Sequence, residues 1–297
     1  MTLTLIQPTP SVTPTAAAAP ALPLPTASWG PADALAALAE ARPQTSILLP
    51  AATVVSALTT VVLRAGEHAV KVYPPGTDAA HLDRLAQALA GSTTAHLTVH
   101  PAIVTSSGVV TIARWLPPAA AVSWPELGAL LRAFHTEHST AFVPHWTPLS
   151  RLASQVASLC AEDAEVLMSA REALLVALAE TDSEIGQGPI HGDVSPWNVM
   201  RTPAGPRLID LDWVAWAPRE YDLASAARRL RAGEISRQSY ARFCTAYGFD
   251  VRSWHGLPIL DRIADLSGVA FRLWDSRRQG LDVDWVRQEL RVWRTPL

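Results

Sequence analysis

Apolar residues recur at intervals of three and four through most of the second half of the chain. That period marks one face of a helix, and it predicts helices over 124–135, 152–159, 164–180, 221–231, 236–247, 257–275 and 283–293. The first half reads differently. A short helix is expected from Pro31 through Leu38, followed by β-branched, alternating runs that predict strands near 45–50, 53–64 and 68–73. A helix over 78–90 separates these from two further strands near 99–104 and 108–115. The expected fold class is therefore α+β, with a small five-stranded antiparallel lobe over residues 28–115 and a mainly helical lobe over residues 116–297. Ala113–Pro118 would connect the two. The first 27 residues, rich in Pro, Thr and Ala and without a charge, read as a flexible tail. The first basic residue is Arg42, so a cationic signal region is not expected. The uncharged run 43–63 contains Pro50 and several Ser and Thr residues, which suits paired strands better than a membrane span.

At 297 residues and 49% hydrophobic content the chain can bury a two-lobed core. A net charge of -3 gives no basic face for nucleic acid. Cys160 and Cys244 stand far apart in apolar helical contexts and read as buried free thiols of a reducing cytosol. The 11 tryptophans are expected mostly on the helices, as core. Of the 24 basic Lys and Arg residues a single one, Lys71, is lysine. It lies in the strand-like run His68-Ala69-Val70-Lys71-Val72-Tyr73, where a compact ammonium suits a phosphate approached from a strand.

The densest chemistry lies in Ile190-His191-Gly192-Asp193-Val194-Ser195-Pro196-Trp197-Asn198, followed beyond a short hairpin by Ile209-Asp210-Leu211-Asp212. An Asp at the tip of a tight loop can accept a proton from a substrate hydroxyl. An Asn shortly after it and a later Asp can hold magnesium ions that bridge nucleotide phosphates. The pattern reads as a phosphoryl-transfer site. His191 is poorly placed as a base and is expected to pack and hydrogen-bond so that the loop holds Asp193 outward. Gly192 permits a backbone geometry that a side chain would obstruct. Asp212 reads equally as a metal contact, a substrate contact or a solvated carboxylate.

Lys71 in its VKV strand, HGDVSPWN at 191–198, LIDLD at 208–212 and Tyr221-Asp222-Leu223-Ala224 together resemble the aminoglycoside phosphotransferase and choline kinase-like family, over about residues 45–297. The resemblance implies a protein kinase-like fold. It implies Asp193 as catalytic base, Asn198 and Asp210 as Mg2+ ligands, Lys71 on the α- and β-phosphates of ATP, and Asp222 as a brace of the catalytic loop. It also implies adenine held by backbone groups of the connector that contains Trp115. Two departures stand out. No glycine occurs between Gly30 and Gly66, so the phosphate-covering loop expected around residues 49–56 relies on small residues such as Ser56. The helix after Lys71 has no Glu to pair with it, leaving Asp83 or Asp78 as a partner or as solvated acids.

The expected activity is ATP-dependent transfer of a γ-phosphoryl group to a hydroxyl of a small metabolite or antibiotic such as an aminoglycoside, with GTP an alternative donor. A nucleotide-binding pseudokinase is the second reading. A protein kinase is third, disfavoured by Gly192 where protein kinases carry Arg and by the short stretch between Asp212 and Tyr221. Asp275, Asp282, Asp284 and Glu289, interspersed with Arg277, Arg278, Arg287 and Arg291, read as ordinary charged surface more than a cation pocket. A cytoplasmic monomer or homodimer with no membrane or nucleic-acid partner completes the expectation.

Overall fold

The computed structural model describes residue 20 and residues 22–297. Most of the tail expected over 1–27 lies outside the described residues. Inside it, Leu22 is buried against Tyr73, Leu82 and Val109, and its carbonyl accepts a hydrogen bond from Arg151 Nε at 2.6 Å.

Helix α1 (Pro31–Ala41) opens with a proline in its first turn, and Asp33 accepts from the Gly30 N–H. It buries Ala34, Ala37, Leu38 and Ala41, small side chains at helical spacing that let it lie close on the sheet. The strand expected near 45–50 does not form. Arg42 donates to the Leu49 and Pro50 carbonyls at 2.9 and 2.8 Å, taking acceptors a sheet partner would need, and Leu48 is 83% exposed. The run 53–64 is instead a hairpin, β1 (Thr53–Ala57) and β2 (Val61–Ala65), closed by Leu58 N–H donating to the Thr60 carbonyl. With β3 (His68–Tyr73), β4 (Thr98–Val104) and β5 (Val109–Arg114) they make one antiparallel sheet in the order β1-β2-β3-β5-β4. Helix α2 (Ala79–Ala88), capped by Asp78, lies between β3 and β4 in sequence. Side chains alternate along each strand. Val70 and Val72 of β3 and Val110 and Ile112 of β5 therefore join the core under α1, while Ala69, Lys71, Thr111 and Ala113 face a cavity on the other side.

The second lobe is helical, with α3 (Trp124–Glu137), α4 (Leu152–Val156), α5 (Ala161–Ala179), α6 (Glu220–Arg231), α7 (Arg237–Tyr247), α8 (Leu257–Arg278) and α9 (Val286–Trp293). Their apolar faces share one core. In α8 the buried Leu257, Leu260, Ile263, Leu266, Ala270 and Leu273 follow the period that predicted it. Gly128 lets α3 touch α7, because a Cβ there would sit 2.5 Å from the Phe243 carbonyl oxygen. Two short antiparallel pairs, unanticipated as pairs except for the hairpin, interrupt the helices: β6 (Gln187–Ile190) with β9 (Ala215–Pro218), and β7 (Val199–Thr202) with β8 (Gly205–Leu208). The cysteines are not buried, since Cys160 is exposed at the start of α5 and Cys244 is half-buried. Nor are the tryptophans mostly helical: only Trp124, Trp274 and Trp293 lie within α-helices, while Trp115 follows β5, Trp213 ends a short 3-10 turn and Trp216 lies in β9. Among the described residues no helix is long and apolar enough to cross a membrane.

Candidate active site

The loop that follows β6 is held from below by one carboxylate. Asp222, in the first turn of α6 and 1% exposed, accepts from the backbone N–H groups of His191 and Gly192 at 2.7 and 2.9 Å and from His135 Nε2 at 2.9 Å. Burial opposes its ionisation, but these donors hold its carboxyl below the usual carboxylate range. His191 has the tautomer its partners demand. Its Nε2–H donates to the Ile209 carbonyl at 2.8 Å, and Nδ1 accepts from the Asp193 N–H at 3.3 Å. The ring thus ties the loop to the segment leaving β8. Gly192 has φ +84°, and a Cβ there would lie 2.3 Å from the Trp213 carbonyl oxygen, so the turn has room only for glycine.

Above this brace the charged groups converge. Asn198 Nδ2 donates to the Asp193 carbonyl and to Asp193 Oδ2 at 2.8 and 2.9 Å, which leaves Asn198 Oδ1 with no protein donor among the described residues. Asp210, in the left-handed conformation at φ +61°, pairs with Lys71 Nζ. Asp212 Oδ2 takes the same ammonium at 2.5 Å, while its Oδ1 accepts from the Tyr73 hydroxyl at 2.7 Å. Burial would depress Lys71, yet Asp212 and Asp210 hold it well above the ordinary lysine value. Burial, reinforced by the Asp210 charge, raises Asp193 above the ordinary aspartate range. Asp210 is lowered, because the Lys71 ammonium outweighs its burial.

These groups open onto a cavity of about 580 Å³ between the lobes, lined by Lys71, Asn198 and Asp210. Ser56 lies in its roof, which runs over residues 55–60, later in the chain than the 49–56 expected, and Thr59 and Thr60 supply hydroxyls in place of glycines. Trp115 also lines the cavity, beneath the Arg64 guanidinium. The Trp115 N–H is spent on the Glu67 carbonyl and the Arg114 carbonyl accepts from His96 Nε2 at 2.8 Å, so Leu116, just before Pro117, carries the connector's next N–H. Asp83 is not at this site. Its carboxylate accepts from the Ala102 N–H at 2.7 Å, anchoring α2 to β4. Asp78 caps α2 and pairs with Arg84. The aspartate arm is too short to serve both β4 and Lys71, and the face α2 turns to the cavity is Leu82, Leu85 and Ala86. Among the described residues no three His, Cys, Asp or Glu side chains form a ready-made metal cage.

Residues 57–257 match the sequence profile of the phosphotransferase enzyme family, APH. The chain belongs to that family. No curated protein matches it. Solved structures share its two-lobed protein kinase-like fold. A choline/ethanolamine kinase family protein from Mesorhizobium loti is 18% identical over 88% of this chain and 98% of its own, with a TM-score of 0.57. The choline kinase LicA from Streptococcus pneumoniae is 14% identical over 87% and 97%, at 0.60. The amicoumacin kinase hAmiN, solved with AMP-PNP, Ca2+ and Ami, is 12% identical over 88% and 91%, at 0.63. The family match runs from the end of β1, through the loop after β6, to the start of α8. Sequence reasoning did not find His135, Tyr73 or Glu220 in it. His135 sits inside an apolar helix pattern and Tyr73 at the end of a strand, where nothing but the fold marks them. Glu220, fully buried, accepts from Ser183 Oγ and from the Glu184 and Ile185 N–H groups.

Proposed function

We propose that this phosphotransferase moves the γ-phosphoryl group of ATP to a hydroxyl of a small molecule. The carrying observation is the convergence of Lys71, Asp210 and Asn198 on the inter-lobe cavity, with Asp193 hydrogen-bonded to Asn198. Asp193 accepts the acceptor's hydroxyl proton while that oxygen attacks the γ-phosphorus in line and the bond to the β-phosphate oxygen breaks. Burial and the Asp210 charge raise its pKa and make it a stronger base than a free aspartate. The Asn198 contact fixes the carboxylate's direction. Lys71 takes the α- and β-phosphates, and Ser56 lies in the roof above them.

Mg2+ fits the donor set: hard oxygen ligands from Asn198 Oδ1 and Asp210, with Asp212 adjacent, suit an ion that completes its shell with phosphate oxygens and water. When bound it would neutralise phosphate charge and hold the γ-phosphoryl in place. GTP is the alternative donor, and either nucleobase would meet the Leu116 N–H and the wall formed by Trp115. The acceptor is a hydroxylated metabolite or antibiotic such as an aminoglycoside. Of the acids near the C-terminus, Asp275 is engaged by Arg278 and Gln279 and Asp284 pairs with Arg287, which supports an ordinary charged surface over a cation pocket. The free thiols Cys160 and Cys244 suit a reducing cytoplasm.

The test is nucleotide binding and turnover with Mg2+ and a panel of hydroxylated amines and sugars. Asp193→Ala is expected to lower kcat by about 10²–10⁴-fold while nucleotide affinity holds. Binding without turnover on any acceptor would favour a nucleotide-sensing role, and no nucleotide binding would refute the reading.

A further inference from the structure

Lys71 receives no carboxylate from α2, whose cavity face is apolar and whose Asp78 and Asp83 are committed elsewhere. Its orientation comes from the other lobe. Asp212 uses one oxygen for the ammonium and the other for the Tyr73 hydroxyl. Tyr73 lies two places after Lys71 on β3, so both side chains leave the strand on one face and grip a single carboxylate. Tyr73 is 3% exposed and its ring lies 5.1 Å from the Lys71 ammonium.

We propose that Tyr73 and Asp212 form the clamp that aims Lys71 at the nucleotide phosphates, in place of an acid on the helix. The proposal rests on the phosphoryl-transfer reading above. An ammonium has three N–H donors. With Asp210 and Asp212 each taking one, the third is left for phosphate, in a direction the clamp sets. Asp212 alone could swing about its own Cβ. With the Tyr73 hydroxyl on its second oxygen it cannot, and both hydrogen bonds are the strong kind made to an ionised group. Because β3 belongs to the first lobe and Asp212 to the second, the clamp also fixes how the lobes meet across the cavity. Tyr73 and Asp212 are thus positioning residues, acting through Lys71.

Calorimetric titration of ADP in EDTA, and of ATP with Mg2+, on the unaltered chain, Tyr73→Phe, Asp212→Asn and the double variant tests this. Each single change is expected to weaken metal-free ADP by about tenfold, the loss of one hydrogen bond to a charged group. The double variant should weaken it no further than about twofold beyond the worse single, since both act through one clamp. KM for ATP should rise in step, and the Mg2+ concentration for half-maximal activity should stay unchanged in Tyr73→Phe. A Tyr73→Phe variant that binds ADP within about twofold of the unaltered chain overturns the proposal. So does an Asp212→Asn variant altered only in its Mg2+ requirement, which would make Asp212 a cation ligand. Tyr73→Phe keeps the buried ring and decides the question alone if Asp212→Asn does not fold. An unaltered chain that binds no nucleotide refutes the phosphoryl-transfer reading and this one together, and that result needs no variant.

Discussion

Replacing Asp222 by Asn tests how the loop after β6 is held. Asp222 receives three donors on two oxygens, the His191 and Gly192 N–H groups and His135 Nε2. An Asn whose oxygen keeps His191 and His135 must turn its NH2 toward the Gly192 N–H, donor against donor. The unsatisfied buried N–H costs about 1–3 kcal/mol, and the two remaining bonds lose about 1 kcal/mol each with the charge. A total of about 3–5 kcal/mol agrees with the cost of breaking a buried charged pair. The folded-state pKa of Asp222 is depressed, so its stabilisation is present above the unfolded value near about 3.9 and is lost as pH falls through the folded value. Urea unfolding of both proteins should show the full gap at neutral pH and a narrowing gap below about pH 4. A gap under about 1 kcal/mol at neutral pH, or one that stays constant into acid, would refute the reasoning.

Gly192→Ala should cost about 1–3 kcal/mol in backbone strain and push on the Trp213 carbonyl, with kcat falling by at least about tenfold because Asp193 shifts; unchanged kinetics would show that the turn relaxes freely. Asp83→Ala should lose about 1 kcal/mol of stability and leave KM for the nucleotide within about twofold, whereas a true partner of Lys71 would raise KM far more. Glu220→Ala leaves the Glu184 and Ile185 N–H groups unpaired and should lower stability by about 2–4 kcal/mol, read by thermal melting, with nucleotide affinity unmoved.

The helices and the β3 lysine were legible because period and burial coincide: β3 alternates, and α8 repeats every three or four residues. The 45–50 segment has the composition of a strand, but its carbonyls answer to Arg42, and a side-chain competitor of that kind leaves no periodic trace. The site's ends were visible as Asp193, Asn198 and Asp210, which are close in sequence. Its supports were not. His135 and Tyr73 reach Asp222 and Asp212 across long stretches of chain, and the Asp212 role stayed open because its partners come from the other lobe. Asp83 misled for the same reason, since an acid on the right helix says nothing about which face it occupies.

Leu22 has its buried side chain among Tyr73, Leu82 and Val109, with Trp213 packed alongside, and its carbonyl on Arg151, 129 positions away. The contact is non-local, and the entropy of closing its loop has to be met by the packing and hydrogen bonding at its two ends. It draws on the sheet, on α2 and on the helical lobe at once, so it holds only while both lobes are in place. Amide exchange at the start of the described chain would rise before either core loosens, making that segment a reporter of the seam between the lobes.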